Sequence, residues 1–184
     1  MTGDINQKYR KLLNSELGRL SQEQFKEREK IPIVAVLDNV RSQHNIGAAF
    51  RTSDAFLVSK IVLCGICATP PSAEIHKSAL GAENSVERSY FKETTEAVKC
   101  LKNEGYQIIS IEQAENSVSL QDFPFKAWEK YAFIFGNEVK GVQQDVVDMS
   151  DTVIEIPQYG TKHSLNVSVS IGLVLWEASK TIKK

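Results

Sequence analysis

From residue 31 onward, short apolar runs rich in β-branched residues alternate with stretches whose apolar positions recur every three to four residues. The runs Ile31–Leu37, Lys60–Ile66, Tyr106–Ile111, Tyr131–Phe135 and Thr152–Ile156 are nearly continuous. That pattern predicts strands buried on both faces of a parallel sheet. Between them, Asn45–Leu57 places Ile46, Ala49, Phe50, Ser53 and Leu57 on one helical face. Thr95–Glu104 is closed by Gly105, a suitable residue just past a helix end. Gln143–Met149 is a further short helix, and Asn166–Thr181 a long one. The alternation predicts an α/β fold with a mostly parallel sheet flanked by helices. The last helix is apolar almost all round (Val167, Val169, Ile171, Leu173, Val174, Leu175, Trp176), so it needs cover on more than one side, from the core or from a second subunit.

Residues 1–30 read differently. Tyr9, Leu12, Leu13, Leu17, Leu20 and Phe25 are spaced as helical pieces in a polar, charged stretch. The chain is therefore expected to comprise an N-terminal helical extension over 1–30 and one domain over 31–184. No internal repeat or low-complexity segment interrupts it.

Composition narrows the class. Apolar residues make up 42% and charged residues 24%, the balance of an ordinary globular chain. No run of about 18 apolar residues occurs, so no membrane span is expected. The first thirty residues lack the apolar stretch of a signal peptide. Three cysteines, an odd number without an export signal, read as reduced thiols in the cytoplasm. The net charge of −1 does not announce a nucleic-acid binder. Residues 1–30 nevertheless carry seven Lys/Arg (Lys8, Arg10, Lys11, Arg19, Lys26, Arg28, Lys30) against five acids, and Lys180, Lys183 and Lys184 close the chain. A phosphate-facing surface would be confined to the termini and a few core residues.

Several chemistries are excluded by missing residues. No G-x-G-x-x-G follows a strand. Gly136 and Gly141 have the spacing that opens a phosphate loop, but Val142 and Gln143 follow where Lys and Ser/Thr are needed. Cys64 and Cys67, three apart on a predicted strand, point to opposite faces and suit neither metal nor redox pairing. His44, His76 and His163 are scattered, so no metal is expected. Ser164 adjoins His163 without a G-x-S-x-G, which argues against a serine hydrolase.

Three segments instead cluster polar residues and glycines where strands end. The first runs from Leu37 to Arg51, with Asn45 as a plausible helix N-cap and Gly47 allowing close approach to the first turn. Arg51 follows Asn45 by six residues, nearly two turns. The second is the glycine-bracketed acidic turn Gly136–Gly141. The third, Ile156–Ser168, holds Pro157 and Gly160 and runs into a helix with Ser164 and Asn166 near its start. Taken singly, each reads as capping and turn chemistry. In the third, however, Ser and Asn open a helix that is otherwise apolar, and buried polar side chains need partners such as a ligand loop. Carboxyl ends of strands in open α/β sheets are where ligands usually bind.

Taken together, the segments resemble the three motifs of SpoU (TrmH) type RNA 2′-O-ribose methyltransferases. Asn45, Gly47 and Arg51 match N-x-G-x-x-x-R; Gly136, Glu138 and Gly141 match G-x-E-x-x-G; Ile156 to Val169 match I-P-x-x-G-x-x-x-S-L-N-V-S-V. Order and spacing agree from about Ile31 to the C-terminus. Ser170 departs from the pattern, where many relatives carry Ala.

The resemblance implies a C-terminal deep trefoil knot, S-adenosyl-L-methionine as methyl donor, a homodimer with the site at the subunit interface, and RNA as substrate. It implies an adenosyl pocket lined by Gly136, Ile156, Ser164 and Leu165, with the Ser110–Gln113 strand end nearby. It points to Arg51 as the residue that activates the ribose hydroxyl. Because a guanidinium is not ordinarily a base, Arg51 either loses its proton in an unusual local field or stays charged and stabilises the developing alkoxide. Asn45 and Glu138 would position Arg51 or the ribose, and Ser164 and Asn166 would shape the substrate side. Transfer RNA is favoured over ribosomal RNA, since no separate recruiting domain is evident. The rival classes are a non-catalytic RNA-binding scaffold that retains the fold, disfavoured because every motif position is filled, and a methyltransferase acting on a metabolite or base nitrogen.

Overall fold

The computed structural model describes residues 9–182; Lys8, Lys183 and Lys184 of the basic termini lie outside the described residues. The chain forms β1 (Ile31–Asp38), α2 (Gln43–Ala55), β2 (Val58–Cys64), α3 (Ala73–Ala79), β3 (Glu87–Phe91), α4 (Thr94–Asn103), β4 (Gln107–Ile111), β5 (Val118–Ser119), β6 (Tyr131–Phe135), α5 (Gln144–Asp148), β7 (Thr152–Glu155) and α6 (Val167–Ile182), after a short α1 (Gln22–Glu27). Seven strands make one sheet in the order β3-β2-β1-β6-β4-β7-β5, with every pair parallel.

The continuous apolar runs have the predicted cause. Along β1, Ile33, Ala35 and Leu37 enter one core layer with α2, α3 and α6. Val34 and Val36, on alternate positions, enter a second layer with α4 and α5. A strand covered on both faces cannot alternate with polar residues.

Strand order also fixes where a ligand would sit. β1 and β6 are neighbours, yet α2, which follows β1, packs its Ile46, Ala49 and Phe50 into the first layer. α5, after β6, packs Val146 into the second. Adjacent strands whose following segments leave on opposite faces open a crevice at their carboxyl ends.

Boundaries differ from expectation at several points. Ser42, not Asn45, caps α2: its hydroxyl accepts from Asn45 N at 3.3 Å. The residue thus freed for other work is Asn45. Among the described N-terminal residues only Asn14–Glu16, a single 3₁₀ turn, and α1 are helical. Phe25 anchors α1 in the first core layer, while Leu12, Leu13, Leu17 and Leu20 stay exposed. α6 buries Ile171, Val174, Leu175, Ala178 and Ile182 and leaves Val169, Leu173 and Trp176 uncovered in the single chain. Among the described residues, no helix is long and apolar enough to cross a membrane.

Candidate active site at the carboxyl ends of the central strands

The turn after β6 is built by its own backbone. Asn137 and Gly141 exchange two N–H···O bonds of 2.9 Å, closing a tight loop. The Asn137 side chain fills it: its Oδ1 accepts from Val139 N at 2.9 Å and Lys140 N at 3.2 Å, and its Nδ2 donates to the Asn39 carbonyl at 2.7 Å. A Cβ on Gly136 would overlap the Gly141 backbone and Val142 N, so only glycine lets the loop fold back. Gly141 itself sits at φ +69°. The spacing of the two glycines around Glu138 is thus a mechanical requirement of this turn.

That turn swings Glu138 toward the start of α2. Its carboxylate accepts from Arg41 N at 3.0 Å, Ser42 N at 3.1 Å and the Asn45 amide at 3.0 Å. Partial burial pulls the carboxyl's pKa upward, but these bonds outweigh it and hold Glu138 below its ordinary value. Asn45 also accepts, through Oδ1, from Asn166 Nδ2 at 3.3 Å. Asn166 in turn caps α6, its Oδ1 accepting from Ser168 N at 2.9 Å and Ser168 Oγ at 2.6 Å. One hydrogen-bonded chain, Glu138–Asn45–Asn166, therefore joins all three polar segments.

Beside it lies a cavity of about 520 Å³ walled by the end of β4, the 136–141 turn and the segment after β7, a volume within the range of small-molecule sites. Gly136, Ile156, Ser164 and Leu165 line it, together with Glu138 and Asn166. Gln113 Nε2 donates to the His163 carbonyl at 2.8 Å, tying the last segment to the end of β4. Ser164 and Asn166 are exposed rather than buried in the single chain. Their polarity answers to the cavity and to Asn45, not to a closed core.

Arg51 is not brought into this cavity. It is exposed on α2 and has no hydrogen-bond or ion-pair partner among the described residues. Gly47 makes room for a neighbouring helix: a Cβ there would overlap Ser78 Oγ and the Ile75 carbonyl of α3. Cys64 and Cys67 lie in opposite core layers, Cys67 just past the end of β2, and burial pushes their thiols up to about 12 and about 11. No group of three or more His, Cys, Asp or Glu is placed to hold a metal among the described residues.

Two polar features beneath the site were not singled out from sequence. Asp38, fully buried at the end of β1, accepts from Thr94 Oγ1 at 2.6 Å, Gln143 N at 2.8 Å and Asn39 Nδ2 at 2.9 Å. It ties the β1 exit to the segment leading into α5. Glu112 lines the cavity and accepts from Gln113 N at 2.9 Å and Val142 N at 3.0 Å. The available signal was an acid directly ending an apolar run, in each case.

The chain is similar to known proteins over most of its length. The SpoU rRNA Methylase family pattern matches residues 32–176. A tRNA (guanosine(18)-2′-O)-methyltransferase of Aquifex aeolicus is 31% identical over 172 residues, covering 92% of this chain and 78% of that protein. The crystal structure of the A. aeolicus TrmH/SpoU tRNA modifying enzyme superposes with a TM-score of 0.75 at 28% identity, covering 86% of this chain and 79% of that one. An AdoMet-bound rRNA methyltransferase from Sinorhizobium meliloti gives 0.77 at 25% identity; 85% of this chain covers 59% of that longer protein. With its fold and about four fifths of its length in agreement, the chain belongs to the SpoU rRNA methylase family.

Proposed function

We propose that this protein transfers a methyl group from S-adenosylmethionine to a ribose 2′-hydroxyl in RNA. The observation that carries the reading is the Glu138–Asn45–Asn166 chain on the rim of a cavity of about 520 Å³ at the sheet's switch point. S-adenosylmethionine, when bound, supplies an electrophilic methyl on a sulfonium. Gly136, Ile156, Ser164 and Leu165 wall the space that holds the cofactor, and the bare Cα of Gly136 belongs to a turn that no side chain could enter.

A neutral ribose hydroxyl is a poor nucleophile, so the site must orient it and share or remove its proton. Asn45 and Asn166, fixed by Glu138, orient the ribose. Arg51 assists the departure of the proton or stabilises the alkoxide that forms. Because Arg51 is absent from the cavity wall and has no partner among the described residues, it serves the cavity of a second copy. The uncovered Val169, Leu173 and Trp176 of α6 supply an apolar surface for that pairing. Trp176 contacts Phe56 at the end of α2 (ring centroids 6.2 Å apart), so this surface continues from the helix that carries Arg51. The C-terminal knot of the family belongs to the same reading. The 2′-hydroxyl selects RNA over DNA, and the basic residues of the N-terminal segment, Lys26 and Arg28 among them, supply phosphate contacts outside the cavity in this reading. Reduced thiols fit a cytoplasmic location.

The test supplies labelled S-adenosylmethionine and, separately, unmodified transfer RNA and ribosomal RNA from cells lacking the enzyme. Label in a 2′-O-methyl nucleoside is expected from one of the two RNAs. Label in a base-methylated nucleoside would refute the reading.

A further inference from the structure

Glu112 is held in the cavity without a task in the chemistry above. It follows Ile109 and Ser110, buried in β4, and closes that strand's carboxyl end. Each of its oxygens takes one backbone donor: Oε1 accepts from Gln113 N at 2.9 Å, Oε2 from Val142 N at 3.0 Å. Its seat is the bare Cα of Gly141, where a Cβ would overlap Oε2, and Gly141 is locked at φ +69°. Sequence position, backbone donors and a glycine seat all fix the same carboxylate on the cavity wall.

An ionised carboxylate offers about four acceptor positions. Two are used, one on each oxygen, so each oxygen retains one for a ligand donor. Glu138, the other carboxylate on the cavity, is already occupied by three protein donors and spent on positioning Asn45. A ligand bearing two neighbouring hydroxyls matches what Glu112 has left. Ligands of open α/β sheets lie beyond the carboxyl ends of the strands, which is where Glu112 stands.

We infer that Glu112 holds the ribose hydroxyls of the adenosyl cofactor, and so selects a ribonucleoside over a deoxynucleoside donor. The inference rests on the cofactor reading above. Glu112 is a binding residue in it, fixed by the turn that also fixes Glu138. Gly141 thereby has two roles: it closes the 137–141 loop and leaves room for the carboxylate.

Calorimetric titration of the full chain with S-adenosylhomocysteine, its 2′-deoxy and 3′-deoxy counterparts and 5′-methylthioadenosine tests this. The wild type is expected to bind at least one deoxy compound on the order of 10-fold or more weaker than the parent, the scale of a lost charged hydrogen bond. Glu112→Gln should bind the parent about 10-fold weaker and should no longer distinguish it from the deoxy compounds. 5′-Methylthioadenosine, which lacks the amino-acid tail, should weaken by the same factor. Glu112→Asp keeps the charge but draws it back by one methylene and should erase the same discrimination, which covers a Glu112→Gln that fails to fold. Equal wild-type affinity for parent and deoxy compounds overturns the inference, as does a folded variant that keeps full discrimination. So does a Glu112→Gln loss confined to ligands carrying the amino-acid tail, which would move the contact to the α-ammonium. A wild type that binds none of these compounds contradicts the cofactor reading itself.

Discussion

The Asn45 amide faces two ways: Nδ2 donates to Glu138 Oε1 at 3.0 Å, and Oδ1 accepts from Asn166 Nδ2 at 3.3 Å. One side chain thus couples the start of α2, the turn after β6 and the cap of α6. An aspartate could not donate and an alanine could do neither. Asn45→Ala is expected to lower the methylation rate by ~10²-fold, with the melting temperature changed by only a few degrees because the site is open to solvent. Rate and melting curve measured on one preparation check this; a rate within threefold of wild type would remove Asn45 from the positioning chain.

Arg51 gives a sharper separation of roles. It is exposed and without a partner among the described residues, so Arg51→Ala should change stability by no more than ~0.5 kcal/mol and leave cofactor affinity unchanged. Methyl transfer should nonetheless fall by ~10²-fold or more. Arg51→Lys should not restore it, because an ammonium lacks the planar fork of donors. Single-turnover rates of the three proteins, set beside cofactor titrations, decide the point: a Lys variant at near-normal rate would exclude an arginine-specific function.

Gly47 tests packing rather than chemistry. Its missing side chain lets α3 approach α2, with Ser78 Oγ and the Ile75 carbonyl in the space a Cβ would take. Gly47→Ala should destabilise the fold by about 1–3 kcal/mol in denaturant titration. An unchanged midpoint would mean that α3 shifts at no cost.

Acid should act on Glu138 in a defined direction. Its carboxyl is held below the ordinary glutamate value, and a depressed carboxyl contributes stability above its unfolded pKa, about 4.3. That contribution is lost as pH falls through the lower folded value. The proton resonance of the Asn45 side-chain amide should therefore be insensitive to pH from 8 to 5 and shift only below the ordinary glutamate range. A midpoint between 5 and 7 would show that burial outweighs the three donors.

The two buried cysteines should be inert. With thiols raised to about 12 and about 11 by burial, Cys64 and Cys67 carry almost no thiolate at pH 8. Mass spectrometry after brief alkylation of the native protein should find both unmodified, and both modified once the protein is unfolded in denaturant.

What was legible in the sequence follows from burial. β1 and β6 announce themselves because both faces are covered, whereas β3 reads Glu-Arg-Ser-Tyr-Phe and is largely polar since it lies at the sheet's edge. α3 has only Ile75 and Ala79 buried in seven residues, too few to set a period. The leucines of the N-terminal segment had helical spacing without a surface to cover, and the chain forms only a turn there. At the site, Asn45, Glu138 and Asn166 each stood out, but their meeting depends on β1 and β6 being neighbours, which no local pattern states. Glu112 and Asp38 were hidden for a related reason. Their principal partners are backbone N–H groups far along the chain, Val142 for one and Gln143 for the other.

The central claim is that the accepting atom is the ribose 2′-oxygen, and alkaline hydrolysis of the methylated RNA tests it most directly. A 2′-O-methyl group removes the hydroxyl that alkali uses to cleave the neighbouring phosphodiester. RNA labelled by the wild-type protein should release its label in alkali-resistant dinucleotides, and Arg51→Ala should yield almost none. Label released in mononucleotides would place the methyl on a base and contradict the account.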